Sequence, residues 1–299
     1  MPELPEVENL RLGLEKAILG QKIKHVKVKK PKLVSGKGTL RSPSLKKTRE
    51  FEKDLVNEKF SSIERRAKNL IFKLTHGKIL LAHLKMSGQF AYQPKSNKKT
   101  ITGGHPIELS EKELPNKHTH IIFELEKGTL YYNDTRMFGY VLFYPSLEKF
   151  EAENHFDLYG AEPLDKKFTI TNFELGIKNS KSKIKSLLMS QGVVVGLGNI
   201  YADESLFEAG IHPERPANSI SRGEVELLHK AIIRILKRAI KVGGSSVATY
   251  RLLDMSQGNY AREHKVYGKA GQLCPACKRP LEKILIQART TIFCLNCQK

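Results

Sequence analysis

The chain has 299 residues, of which 40% are hydrophobic and 27% charged, a composition that excludes a disordered or fibrous protein and suggests two domains of ordinary size. Its formal net charge of +20 favours a polyanionic partner, because Lys and Arg that neutralise phosphates release condensed counterions. No apolar run reaches the roughly 18 to 20 residues that cross a bilayer. The opening MPELPEVENL lacks the basic and apolar regions of a secretory signal, so a cytoplasmic, nucleoid-associated location is expected.

From Pro5 to about Leu19, the apolar residues Val7, Leu10, Leu14 and Ile18 follow helical spacing, and Gly20 is a stop signal. Strand-like runs rich in β-branched and aromatic residues come next, at His25 to Val28, Leu70 to Leu74, Ile79 to Leu84, Ile121 to Leu125, Leu130 to Tyr132 and Tyr140 to Tyr144. Two polar stretches, Pro31 to Lys53 and Pro94 to Lys117, read as loops or insertions. The lysine-rich part, Lys22 to Lys53, has no assigned purpose and reads as a solvated loop. The pattern changes around Gly160-Ala161-Glu162-Pro163, and from Ile184 onward it is helical. Ser221 and Glu224 have capping-box spacing before Val225, Leu228, Ile232, Leu236 and Ile240, with Gly243-Gly244 at the end. The fold class is therefore α+β, with a β-rich first half behind one helix and a helical second half.

Cys274-x2-Cys277 and Cys294-x2-Cys297 are two tight turns that can each offer two thiolates, enough to close a tetrahedral shell around one structural Zn2+. The segment Pro280 to Phe293 between them suits a hairpin, and Arg289 on it is placed to reach phosphate. At the other end of the chain, removal of Met1 would expose Pro2 as a free secondary amine, nucleophilic near neutral pH. Attack on a sugar carbon by that amine gives an iminium that cannot discharge by losing a proton from nitrogen. Glu3 and Glu6 lie beside it for proton transfer, although proline and acids at a chain start also suit a plain helix N-terminus. In Val195-Gly196-Leu197-Gly198-Asn199-Ile200-Tyr201, glycines before a helix would let backbone N–H groups approach a phosphate, with Asn199 adding a donor. Lys178, Lys181, Lys183 and Lys185 supply positive charge just upstream.

Together these segments resemble the formamidopyrimidine-DNA glycosylase family over essentially the whole chain. Met1-Pro2-Glu3-Leu4-Pro5-Glu6-Val7-Glu8 is similar to its N-terminal signature, Gly196 to Tyr201 to its helix-two-turns-helix element, and the four cysteines ending in Cys297-Gln298-Lys299 to its zinc finger. The resemblance implies an N-terminal β-sandwich with a leading helix at 1–158, a linker at 159–168, a helix-two-turns-helix domain at 169–265 and a zinc finger at 266–299. It implies a monomer acting on damaged double-stranded DNA, removing oxidised purines and then cutting the strand by β- and δ-elimination. Pro2 would attack the sugar, Glu3 would protonate the opening ring with Glu6 in support, and Lys68 would lie near the lesion's phosphate. Asn199, Lys181, Tyr260 and Arg289 would bind DNA. Met86, Arg136 and Phe138 would fill the space left by a flipped base, whose extrusion costs a few kcal/mol.

Some positions depart from the family pattern. The lesion-closing loop reads Leu253-Asp254-Met255-Ser256-Gln257-Gly258-Asn259-Tyr260, without the usual Asp-Gly and Pro-Gly turns. Thr135 replaces a common proline, Met137 a common arginine and Ala288 a common glycine. Three further readings have different consequences. An endonuclease VIII-like enzyme for oxidised pyrimidines usually has glycine where Leu4 stands, and a non-catalytic damage-binding zinc protein would not need Pro2, Glu3, Glu6 and Lys68 together. A general RNA-binding zinc ribbon would need neither the carboxylates nor the void-filling residues.

Overall fold

The computed structural model describes residues 1–38, 41–96, 101–104, 114–245 and 258–299, with backbone alone for 101–104. The described residues form two compact units. The first comprises Met1–Pro2, Glu6–His155 and Ser245–Gly258, the second Glu3–Pro5, Phe156–Gly244 and Asn259–Lys299.

In the first unit, α1 (Leu4–Ile18) buries Val7, Leu10, Leu14 and Ile18, the stripe expected from their spacing. Nine antiparallel strands follow: β1 (Ile23–Val28), β2 (Phe60–Arg66), β3 (Asn69–Leu74), β4 (Ile79–His83), β5 (Gly88–Pro94), β6 (Ile101–Gly104), β7 (Thr119–Leu125), β8 (Gly128–Asp134) and β9 (Tyr140–Tyr144). They make a five-stranded sheet in the order β1-β7-β8-β5-β6 and a four-stranded one in the order β2-β3-β4-β9. Phe72 of one sheet meets Phe90 of the other edge-on at 5.6 Å. One continuous apolar core runs between the sheets and under α1, so the expected β-sandwich with a leading helix is present.

The Pro31 to Lys53 stretch is not the loop its polarity suggested. It contains α2 (Leu45–Asp54), capped by Ser44, whose side chain accepts from the Lys47 N–H. Thr48, Phe51 and Leu55 are its buried residues; an i, i+3, i+7 stripe that narrow is masked by the charges around it. Three strands, β2, β5 and β6, lie outside the expected runs, and β6 falls within the Pro94 to Lys117 stretch that reads as a loop. β2 and β5 carry polar residues that blur their period.

The second unit contains α4 (Ile170–Lys178), α5 (Ile184–Met189), α6 (Asn199–Ala209) and α7 (Arg222–Lys241), after α3 (Leu147–Asn154) of the first unit, and ends in the hairpin β10 (Glu282–Ile286) and β11 (Arg289–Phe293). The capping box of α7 forms as expected, with Ser221 and Glu224 bonded reciprocally. Glu224 also takes a bidentate grip from Arg215. That ion pair, with the cap, holds the Glu224 carboxyl down to about 2 from its ordinary 4.5. A depressed carboxyl stabilises the fold fully above the unfolded value and loses that contribution as pH falls through the folded one. Acid unfolding of the wild type should therefore steepen between 4.5 and 2, and Glu224→Gln should flatten that dependence in a pH series of thermal melts. An unchanged profile would show that the cap contributes nothing.

No helix among the described residues is long and apolar enough to cross a membrane.

Candidate active site

The expected site residues fall into two sets, one in each unit, and each set is organised by a buried acid.

In the first unit, Pro2 is buried and Glu6 is only 2% exposed, its Oε1 accepting the Ser245 N–H at 2.7 Å. Lys68 occupies the two-residue turn between β2 and β3, after Ala67 at φ +54. This turn is tied to α1: Arg65 donates to Glu8 at 2.8 Å and to the Ala67 carbonyl at 3.0 Å, and Arg11 joins Glu8 and the Ile63 carbonyl. Lys68 is itself buried, so the turn fixes the position of its ammonium. The half-buried His83, which accepts the Lys85 N–H at 3.0 Å, is held down to about 3 by desolvation first, then by the charges of Lys85 and Lys68. His83 is thus a neutral imidazole near neutral pH. An NMR titration should show its ring unmoved through the ordinary value of 6.5, and a normal titration there would remove it from this positive environment.

Met86 stands 41% exposed on the β4–β5 loop, and Arg136 and Phe138 project from the β8–β9 loop with the guanidinium 4.7 Å over the phenyl ring. Asp134, fully buried, binds the two loops together. Its carboxylate accepts from the Ser87 hydroxyl, from the Arg136 N–H at 3.2 Å and from the Gly139 N–H at 2.7 Å. Arg41 braces the same loop through the carbonyls of Met137 and Gly139. Sequence reasoning passed over Asp134, Ser87 and Arg41. Asp134 lies in the quoted motif around Arg136, but nothing local shows that its oxygens face two loops.

In the second unit, Glu3 sits on the N-terminus of α6. Its carboxylate accepts N–H groups from Gly198 at 2.7 Å, Ile200 at 2.9 Å and Tyr201 at 3.3 Å, and the Leu4 N–H bonds to the Gly196 carbonyl at 3.0 Å. The Gly196-x-Gly198 pair was expected to admit a phosphate. It admits the chain's own first residues instead: a Cβ at Gly198 would lie 2.5 Å from the Glu3 carboxylate, and one at Gly196 2.5 Å from Leu4. Helix N-termini favour any anion, and here the anion is Glu3.

Asn199 begins α6, and its Nδ2 donates to the Thr290 carbonyl at 2.8 Å. Asp203, one turn on, accepts the Ile292 N–H at 3.2 Å and pairs with Lys185 at 2.6 Å, with both side chains fully buried. Lys185 also donates to the Thr291 hydroxyl at 2.6 Å. Three consecutive residues of β11 are thus clipped to α5 and α6, directly beside the exposed Arg289. Burial pushes the Asp203 carboxyl up to about 7 against the pull of Lys185, and lowers Lys185. Lys185 was read as upstream surface charge; it is a buried structural cation. Asp203→Ala strands that cation and should cost about 3–5 kcal/mol, whereas Lys185→Met with Asp203→Leu should cost far less. Denaturant midpoints test this, and an equal loss in both variants would show that packing, not charge, is at stake.

Arg289 follows a two-residue turn whose Gln287 and Ala288 both have positive φ, +50 and +56, the hairpin type that favours Asn-Gly. Ala288, where the family commonly has glycine, therefore sits in left-handed backbone. Lys181 is exposed before α5. Tyr260 is in the core of this unit, its ring 5.6 Å from those of Tyr201 and His264, and burial raises its hydroxyl pKa. The remainder of the expected closing loop, from Leu253 to Gln257, lies outside the described residues. Tyr267 was not singled out from the sequence. Burial first, and then the charge of Glu3, raises its hydroxyl pKa. The segment that carries it is anchored by Glu204, which accepts the N–H groups of Lys265, Val266 and Tyr267 at 2.8–2.9 Å.

The four cysteine sulfurs all lie within 4.8 Å of one another, with Cys274–Cys297 at 3.9 Å and Cys277–Cys294 at 3.4 Å. A tetrahedral ion bound by thiolates at about 2.3 Å requires sulfurs about 3.8 Å apart, so the residues fit a metal ion.

Comparison with known proteins agrees with this arrangement. The family described as formamidopyrimidine-DNA glycosylase N-terminal domain matches residues 1–141, and that described as formamidopyrimidine-DNA glycosylase H2TH domain matches residues 159–251. The formamidopyrimidine-DNA glycosylase of Listeria monocytogenes is 40% identical over 300 residues, and that of Desulfitobacterium hafniense 36% over 298, covering 100% of both chains in each case. Among solved structures, a Lactococcus lactis Fpg mutant in complex with Fapy-dG containing DNA is 35% identical with a TM-score of 0.84 over 100% of both chains. The Lactococcus lactis enzyme with an abasic site containing DNA is similar at the same identity and TM-score, over 99% of each chain.

Proposed function

This chain belongs to the formamidopyrimidine-DNA glycosylase family, and we propose that it excises 8-oxoguanine and formamidopyrimidines from double-stranded DNA as a monomer, using Pro2 as the nucleophile. It is a DNA glycosylase/AP lyase of base-excision repair. Within that class, the purine reading rests on Met86 and the stacked Arg136–Phe138 pair, presented on two loops that Asp134 binds together. An exposed apolar wedge, a cation with donors for an orphaned base and an aromatic ring suit the vacancy left by an extruded nucleotide.

The chemistry follows from the residue types. The Pro2 nitrogen bonds to C1′ of the damaged nucleotide as the C1′–N bond breaks, and the base departs with the electron pair and a proton. Opening of the sugar, with a proton delivered to its ring oxygen, leaves an iminium between Pro2 and C1′. Glu3 is the nearest carboxylate in sequence, and its three N–H donors fix its oxygens. Glu6 supports it from α1. The iminium acidifies the C2′ proton, whose loss expels the 3′ phosphate; a second elimination expels the 5′ phosphate, and hydrolysis frees the amine. Lys68, Lys181, Asn199 and Arg289 supply phosphate contacts, Arg289 from the hairpin between the two cysteine pairs. Tyr260, in the core of the second unit, supports the elements of that unit from within. Bound zinc would hold Cys274, Cys277, Cys294 and Cys297 as a closed structural site and take no part in the reaction. Action on DNA is the ground for expecting the protein at the nucleoid.

Gel analysis of a duplex with a single 8-oxoguanine opposite cytosine, beside one with a formamidopyrimidine, tests this reading. A one-nucleotide gap with phosphate at both ends is expected on each. Intact strands on both lesions and on an abasic duplex would sink it. A second reading, oxidised pyrimidines as an added substrate class, is favoured by the similar Lactococcus lactis enzyme solved with an oxidised pyrimidine containing DNA. Comparing kcat/KM on a dihydrouracil duplex separates the two.

A further inference from the structure

The segment from Lys22 to Lys53 carries twelve Lys and Arg against two Glu, half of the chain's net charge of +20, and contains none of the residues assigned above to chemistry or lesion binding. The fold gathers this charge on one surface. α2 turns Thr48, Phe51 and Leu55 inward, leaving Lys46, Arg49 and Lys53 exposed at i, i+3 and i+7, on a single helix face. His25 and Lys27, two apart on β1, are exposed together. Between β1 and α2 runs a shallow groove lined by His25, Val26, Lys27, Arg49, Glu52 and Lys53.

Its one acid is engaged: the Glu52 carboxylate accepts the Val28 N–H at 2.8 Å. Among the described residues, Lys27, Arg49 and Lys53 form no ion pair, whereas Lys24 and His25 meet Glu126 and Glu124 at 3.9 and 3.7 Å. Lysines on β1 alone would be explained by its place at the edge of the five-stranded sheet, where charge blocks strand addition. That account does not reach the like-charged exposed face of α2, which lies beside β1 and belongs to no sheet. The only apolar lining residue, Val26, is buried, so the groove offers no anchor for the hydrophobic side chain of an acidic peptide. A uniform chain of phosphates needs none.

We propose that the β1–α2 groove is a second, lesion-independent contact for the backbone of duplex DNA, through Lys27, Arg49 and Lys53. It rests on the reading that the chain works on DNA, and serves to hold the enzyme on undamaged duplex during search. Each phosphate contact adds about 0.9 to the slope of log K against log salt. For Lys27→Ala/Arg49→Ala/Lys53→Ala, binding to a long undamaged duplex should lose up to about 2.7 of that slope. Gap formation in a short lesion duplex should be unchanged. Lys27→Arg/Lys53→Arg, which keeps the charge, should keep the wild-type slope, and matching thermal melts show that the variants fold. An unchanged slope in the triple variant overturns the proposal. So does an equal loss on long and short duplexes, because the groove would then lie within the lesion footprint. Failure of the wild type to cut the short lesion duplex is a separate result and counts against the enzymatic reading alone.

Discussion

Replacing Pro2 with glycine should lower strand cleavage by about 10³-fold or more and weaken the covalent adduct that borohydride traps on lesion DNA, and retention of Met1 should remove that adduct. The expectation comes from the nitrogen. A processed Pro2 offers a secondary amine with a near-neutral reference pKa, so much of it is unprotonated at physiological pH. Its iminium has no N–H to lose, so the positive charge persists until elimination. A glycine amine gives an imine that discharges by deprotonation, and it lacks the ring that holds the lone pair in one direction. Protein that retains Met1 provides the sharper control, since an amide nitrogen cannot attack. A trapped adduct as strong in the Pro2→Gly enzyme, or in Met1-retained protein, would move the nucleophile elsewhere in the chain.

Stripping the metal from the cysteine cluster should have the next largest effect, and it should act through Arg289. The finger has a small core: Phe207, Val266, Leu281 and Ile292 close around Cys274 and Cys294. So small a core does not hold a hairpin unaided, and bound zinc supplies folding energy outright, about 10–16 kcal/mol in finger peptides. Without it the Gln287-Ala288 turn, with both residues at positive φ, has little to keep it closed. The loss of one charge-assisted phosphate contact, about 1.5–3 kcal/mol, corresponds to about 10- to 100-fold in DNA affinity. Metal analysis of the native protein should find one zinc, and both chelation and Cys297→Ser should remove it together with that affinity. Four freely titrating thiols in native protein, or full DNA binding after chelation, would refute the closed site.

Much of the architecture was legible because it is set by short-range rules. The α1 stripe, the capping box at Ser221 and Glu224 and the two Cys-x2-Cys turns are each read within a few residues. α2 was not legible, since Thr48, Phe51 and Leu55 are its buried positions among seven charged neighbours and leave a weak period. Departures that were legible as sequence acquired meaning only in the fold. Ala288 is one: its cost comes from a left-handed turn, which no neighbouring residue announces.

The sequence by itself carried the family, through a resemblance that rests on Met1 to Glu8, Gly196 to Tyr201 and the cysteine segment together, and it marked the four clustered cysteines by their spacing. Tertiary structure alone decided which partners the polar groups take. Glu3, not phosphate, occupies the N–H groups of Gly198, Ile200 and Tyr201. Lys185 is buried against Asp203 instead of facing solvent, and Tyr260 lies in a core. Asp134 joins two loops that are far apart in sequence from Ser87 to Gly139. The physical reason is common to all four. A buried polar group must find a partner or lose about 1–3 kcal/mol, and which group stands within hydrogen-bond reach is a property of the folded chain, not of its neighbours in sequence.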